Sequence, residues 1–332
     1  MTESEKKQSH TGNLKVENLV VEYRSGGQTI HAVNHISFEL PGGRALGLVG
    51  ETGAGKTTTA KSIMRILPDY ATQKVEGKIL YNGEDLLKLE EVQMRKVRGG
   101  KISMIFQDPM TALNPVKTVV AQIAEGLCAH QGLDKTKARK KAVEMLKTVG
   151  ISEDRAEQYP HQFSGGMKQR VVIAIALVCN PELIIADEPT TALDVTIQAQ
   201  VLELIKALQE ERGTSLILIT HDLGVVAQVC DDVAIVYAGE IVEKGTLEEI
   251  YDHPMHPYTE GLFGAIPSVS KEVERLSPVP GLPPDPTDLP SGCYFAPRCP
   301  YASEECRKKH FELQRVSGTH DVRCRKVEEV RI

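Results

Sequence analysis

An apolar run, Ala45–Val49, feeds without a spacer into Gly50-Glu51-Thr52-Gly53-Ala54-Gly55-Lys56-Thr57, and a helical pattern opens at Lys56. The eight residues fit G-x-x-x-x-G-K-[ST]. Glycine lets a main chain wrap closely around an anion and aim successive N–H groups inward. A helix starting at the end of such a turn adds the positive end of its dipole. Lys56 is then placed to reach the outer phosphates of a nucleotide and the Thr57 hydroxyl to ligate Mg²⁺. Glu51, Thr52, Ala54 and Thr58 complete the expected cradle.

The rest of the chain supplies the sheet that such a loop needs. Strands are expected at 14–23, 31–40, 77–81, 101–106, 183–186, 215–219, 233–237 and 240–243, with helices at 56–67, 195–211 and 223–229. Alternating strands and helices imply an α/β fold with a mainly parallel, helix-covered sheet. Between 119 and 159 the pattern is purely helical: Val120, Ile123 and Leu127, then Ala142, Met145 and Leu146, recur at helical spacing. A further helix is expected from Ser164 to Val178. At the end of the apolar run Leu183-Ile184-Ile185-Ala186 stands Asp187-Glu188. A carboxylate there can hold Mg²⁺ through water, the role expected of Asp187, and Glu188 can take a proton from an attacking water.

Composition removes other classes. Hydrophobic residues at 41% and charged residues at 25% describe an ordinary globular protein. A net charge of −6, no long basic run, no Trp and 5% aromatics disfavour nucleic acid as a ligand. No stretch approaches the roughly 20 apolar residues of a membrane span, and the polar residues 1–13 lack the apolar core of a secretion signal. A cytosolic protein is expected, brought to any membrane by a partner.

Taken together, the motifs resemble those of the ATP-binding cassette (ABC) ATPases. Phe163-Ser164-Gly165-Gly166-Met167 looks like the family signature LSGGQ, with Phe for Leu and Met for Gln. Gln107 resembles the Q-loop glutamine, Ala192-Leu193-Asp194 the D-loop, and His221 the switch histidine. Tyr23 is the candidate for stacking on adenine. The resemblance covers about residues 14–250. It implies a P-loop NTPase with an ABC-type nucleotide-binding domain at 14–252 and a helical subdomain at about 108–178, preceded by residues 1–13, which read as a disordered lead-in. It also implies a head-to-tail dimer. One subunit would bring residues 50–57, Gln107 (also toward Mg²⁺), Asp187, Glu188 and His221 to a nucleotide, and the other would bring Ser164, Gly165 and Gly166.

Beyond His253 prolines crowd the sequence, and a loop-rich extension over 253–332 is expected. His256-Pro257-Tyr258-Thr259, Gly281-Leu282-Pro283-Pro284 and Gly292-Cys293-Tyr294-Phe295 with Arg298-Cys299-Pro300 resemble the tail of ATPases serving dipeptide, oligopeptide and nickel importers. That resemblance implies two membrane-spanning permease subunits, a second ATPase subunit (paralogue or self), an extracytoplasmic solute-binding protein acting indirectly, and a place on the cytoplasmic face of the membrane. An ATP-hydrolysing subunit powering uptake of dipeptides or oligopeptides is the expectation, a nickel or other small-solute importer ATPase is the alternative, and soluble non-transport cassettes and exporters are the remaining readings.

The tail holds Cys293, Cys299, Cys306 and Cys324. Disulfides suit a reducing cytosol poorly, and the tight C-x2-4-C pairs of structural zinc are absent. A [4Fe–4S] cluster accepts uneven spacing, and similar tails are associated with one. Fe–S is the expectation, with zinc second and free thiols third. Cys128, Cys179 and Cys230 read as buried small hydrophobes.

Overall fold

The computed structural model describes residues 12–190, 195–265 and 279–327. Nearly all of the expected lead-in lies outside them, as does the expected D-loop, Asp194 included. The chain divides into two compact units. One comprises Met1–Lys15, Glu39–Ala45 and Leu80–Ile219; the other comprises Val16–Phe38, Leu46–Ile79 and Thr220–Ile332.

In the first unit, Ile102–Ile105, Leu183–Asp187 and Ser215–Thr220 form adjacent parallel strands, with Ile105 opposite Ala186 and Asp187 opposite Ile219. Every residue of the three is buried. Unbroken apolar runs of this kind belong to strands covered on both faces. The helical stretch resolves into Val119–Gln131 and Lys135–Thr148, which pack on each other and on Gly165–Leu177. Their inward faces carry the residues whose spacing announced them: Val120, Ile123 and Leu127, then Ala142, Met145 and Leu146. Gly132, in the left-handed region at φ 63°, stops the first helix. Asp134 starts the second by accepting the Thr136 and Lys137 amides at 3.0 Å.

In the second unit, strands run in the order Gln314–Ser317, His320–Val322, Glu240–Thr246, Asp232–Tyr237 and Ala45–Val49. The last pair is parallel and the others antiparallel. A second sheet places Leu14–Ser25 between Gln28–Leu40 and Thr72–Tyr81. The tail is more ordered than its prolines suggested. It contributes helices Pro257–Gly264 and Glu304–Lys308 and the two strands that extend the sheet. One buried carboxylate joins it to the sheet: Glu243 accepts the Met255 and His256 amides at 2.8 and 2.9 Å and meets His320 Nε2 at 2.7 Å. A fully buried carboxylate persists only with such partners.

Candidate functional site

The phosphate loop leaves a five-residue strand that is buried throughout. Gly50 is obligatory because a Cβ there would stand 2.1 Å from the Val236 carbonyl oxygen. Gly55 combines φ +98° with a backbone contact: its Cβ would meet the Ala32 oxygen at 2.4 Å. Gly55 also precedes helix Lys56–Met64, whose N-terminus no side chain caps. Its first amides are therefore the kind that anions satisfy. Lys56 is 5% exposed, and its Nζ donates to the Gly50 and Glu51 carbonyls at 2.7 and 2.9 Å. The cation thus lies folded along its own loop. Thr57 and Thr58 follow on the helix, half-buried.

Three residues behind this loop escaped the sequence reading. Tyr258 Oη accepts the Glu51 N–H at 2.9 Å. Arg298 grips the Glu51 carboxylate with both terminal nitrogens, at 2.7 and 3.0 Å. Tyr237 packs beside both, with ring centroids 4.6 Å apart from Tyr258 and 5.7 Å from the Arg298 guanidinium. Tyr258 and Arg298 were visible only within the Pro-Tyr and Arg-Cys-Pro strings of the tail, and Tyr237 only as the last residue of the strand expected at 233–237.

In the other unit, the parallel register sets Gln107 and Glu188 side by side. Each stands two residues beyond a partnered pair, Ile105 and Ala186. Gln107 Nε2 donates to Glu188 Oε2 at 2.9 Å. Glu188 has φ +45°, a left-handed conformation unusual for a residue with a Cβ, and its N–H is fixed on the Ile219 carbonyl at 2.9 Å. Strain of this kind gathers where a side chain must be aimed. Asp187, one residue earlier, is 3% exposed.

Ser164 begins helix Gly165–Leu177 and accepts the Met167 amide at 3.4 Å. Ser164 and Gly165 are exposed, and a Cβ on Gly165 would meet open space. Phe163 is buried, with the Arg155 guanidinium 5.0 Å from its ring centroid. Its replacement of Leu is one core hydrophobe for another. His221 is exposed between strand Ser215–Thr220 and helix Leu223–Val229. Tyr23 lies half-buried on strand Leu14–Ser25.

Cys293, Cys299, Cys306 and Cys324 line one cavity of ≈ 190 Å³, together with Phe295 and Phe311. Burial pushes the Cys293 thiol up to about 11 and raises Cys299 and Cys324, while main-chain amides of Phe295, Tyr301 and Lys326 pull the other way. None of the seven cysteines is in a disulfide. Cys230 is buried as expected, whereas Cys128 and Cys179 are only half-buried. Among the described residues, no three His, Cys, Asp or Glu side chains come together so as to hold a metal ion. Neither the expected iron–sulfur centre nor the zinc alternative is therefore among the observed features.

The family described as "ABC transporter" matches residues 33–191, and "Oligopeptide/dipeptide transporter, C-terminal region" matches residues 242–306. The dipeptide transport ATP-binding protein DppD of Bacillus subtilis (strain 168) is 50% identical over 313 residues, covering 94% of this chain and 93% of that protein. The oligopeptide transport ATP-binding protein OppD of Haemophilus influenzae is 49% identical over 296 residues, covering 89% and 91%. Among solved structures, the ATP-binding cassette MJ0796, dimeric and bound to ADP and Pi in a post-hydrolysis state, aligns with a TM-score of 0.64 at 30% identity, covering 70% of this chain and 98% of that one. CbiO1 of Clostridium perfringens, part of the transporter complex cbiONQ, aligns at 0.61 and 29%, covering 72% and 90%. With curated relatives about half identical over nearly the whole of both chains, and with both family matches, the chain belongs to the ABC transporter ATPases of the oligopeptide/dipeptide family.

Proposed function

We propose that this chain hydrolyses MgATP to drive uptake of dipeptides or oligopeptides through membrane-spanning permease partners. The observation that carries the chemistry is Glu188: a carboxylate on a strained backbone at the carboxyl end of a buried strand, held by Gln107. The names of the relatives and the matched tail support the peptide class.

The loop amides from Gly50 to Thr58 would hold the phosphates, with Lys56 turning from its own carbonyls onto the outer phosphates. Thr57, Gln107 and Asp187 offer hard oxygen donors, the set Mg²⁺ prefers; when bound, the ion would offset phosphate charge. Glu188 would accept the proton of the attacking water, His221 would contact the terminal phosphate, and Tyr23 would stack on adenine. Ser164, Gly165 and Gly166 would act on a partner subunit's nucleotide, with Asp194 beside them, in a head-to-tail pair. No helix among the described residues is long and apolar enough to cross a membrane. Attachment at the cytoplasmic face would therefore come through two permeases, fed by an extracytoplasmic solute-binding protein.

That four thiols line one cavity supports a [4Fe–4S] cluster, with zinc second, at Cys293, Cys299, Cys306 and Cys324. The cluster would staple the tail. Anaerobic purification should yield about four irons and four sulfides per chain; colourless, iron-free protein that retains its full melting temperature would remove it.

Glu188→Gln tests the ATPase itself. It should bind MgATP normally while turnover falls at least a hundredfold. Ordinary turnover in that variant would take Glu188 out of the role.

A further inference from the structure

The motif accepts any residue at position 51, yet all the polar groups of Glu51 are engaged. Its N–H donates to Tyr258 Oη at 2.9 Å. Its carbonyl accepts from Lys56 Nζ at 2.9 Å and from the Ala54 amide at 3.2 Å. Its carboxylate takes the Arg298 fork at 2.7 and 3.0 Å. Tyr258 and Arg298 lie 207 and 247 residues further along the chain.

Arg298 is itself held on every side. Its side chain is 4% exposed. Nε donates to the Pro280 carbonyl at 2.8 Å and Nη2 to the Val279 carbonyl at 3.2 Å. The guanidinium stands over the Tyr237 and Phe295 rings, 5.7 and 6.0 Å from their centroids. Its main chain belongs to a tight turn in which the Arg298 and Cys299 amides both donate to the Phe295 carbonyl at 3.0 Å. A two-pronged guanidinium–carboxylate pair, largely out of water, fixes distance and angle together. It is also the kind of pair whose one-sided removal strands a charge.

We infer that Arg298 is a positioning residue for the phosphate loop: from the C-terminal region it fixes Glu51 before nucleotide arrives. Glu51 in turn orders the turn itself, its carbonyl taking the Ala54 amide within the loop. A loop ordered in advance loses less freedom on binding, so affinity is the quantity at stake. The inference rests on residues 50–57 being the nucleotide site.

The test is a MgATP titration of the purified full chain, with turnover measured at saturating MgATP. Arg298→Gln should weaken binding about tenfold and leave saturated turnover within about twofold. Arg298→Lys keeps the charge without the fork and should lose about threefold. Glu51→Gln should weaken binding as Arg298→Gln does, and the double variant should bind no worse than the weaker single. An unchanged dissociation constant in Arg298→Gln, or single effects that multiply in the double variant, would overturn the inference. If melting shows Arg298→Gln unfolded, Arg298→Lys and Glu51→Gln decide by the same criteria. Lys56→Ala is run alongside: affinity lost there but kept in Arg298→Gln sinks the role of Arg298 alone, whereas affinity kept in both sinks the nucleotide site.

Discussion

Gly50 and Gly53 share a loop, and an added methyl group separates their roles. At Gly50 the methyl would sit 2.1 Å from a main-chain oxygen; at Gly53 it meets nothing within 4 Å, and only the φ of +83° resists it. Gly53→Ala should therefore lower unfolding free energy by about 1–2 kcal/mol, and Gly50→Ala by clearly more, because backbone must move. Urea unfolding of the two variants checks this, and equal losses would contradict the geometry. The motif specifies Gly50 and leaves position 53 open, but it could not say that Gly50 is the steric one. Likewise Asp187-Glu188 was legible as an acidic pair at a strand end. The left-handed backbone of Glu188 and its contact with Gln107 were not, since they depend on which strands are neighbours.

At the scale of elements, the helix starting at Gly165 has two functions to separate. Ser164 caps it through a long, 3.4 Å bond, so Ser164→Ala should cost stability at the low end of cap losses, about 0.5 kcal/mol. Turnover of the assembled ATPase should fall far more if Ser164 serves a partner's nucleotide. Parallel losses would make it a cap only. Phe163 is packing: Phe163→Leu should cost under about 1.5 kcal/mol and Phe163→Ala about 3 kcal/mol, read by chemical denaturation. Elements with strong periodicity or unbroken apolar runs were legible to within a few residues, as Ala45–Val49 and Leu223–Val229 show. Helix Glu91–Val97 and strands Gln314–Ser317 and His320–Val322 were not foreseen. The helix is short and mostly exposed, with only Met94 and Val97 buried. The strands are too brief to carry a period and exist because Glu240–Thr246 offers an edge.

Across the whole molecule, what joins the tail to the chemistry is long-range. Glu243 gathers Met255, His256 and His320, and Glu51 gathers Tyr258 and Arg298. Pairings across such separations leave no local pattern, so the sequence showed the tail as proline-rich loop and its order appeared only in the fold. The four cysteines were visible as a set, and their convergence on one cavity was not. The central claim, that residues 50–57 grip a nucleotide for hydrolysis, is tested most directly by equilibrium titration of the full chain with MgATP, wild type against Lys56→Ala. Saturable, magnesium-dependent binding in the wild type that weakens at least about tenfold in the variant is the predicted result. Indistinguishable curves, or no binding by the wild type, would contradict it.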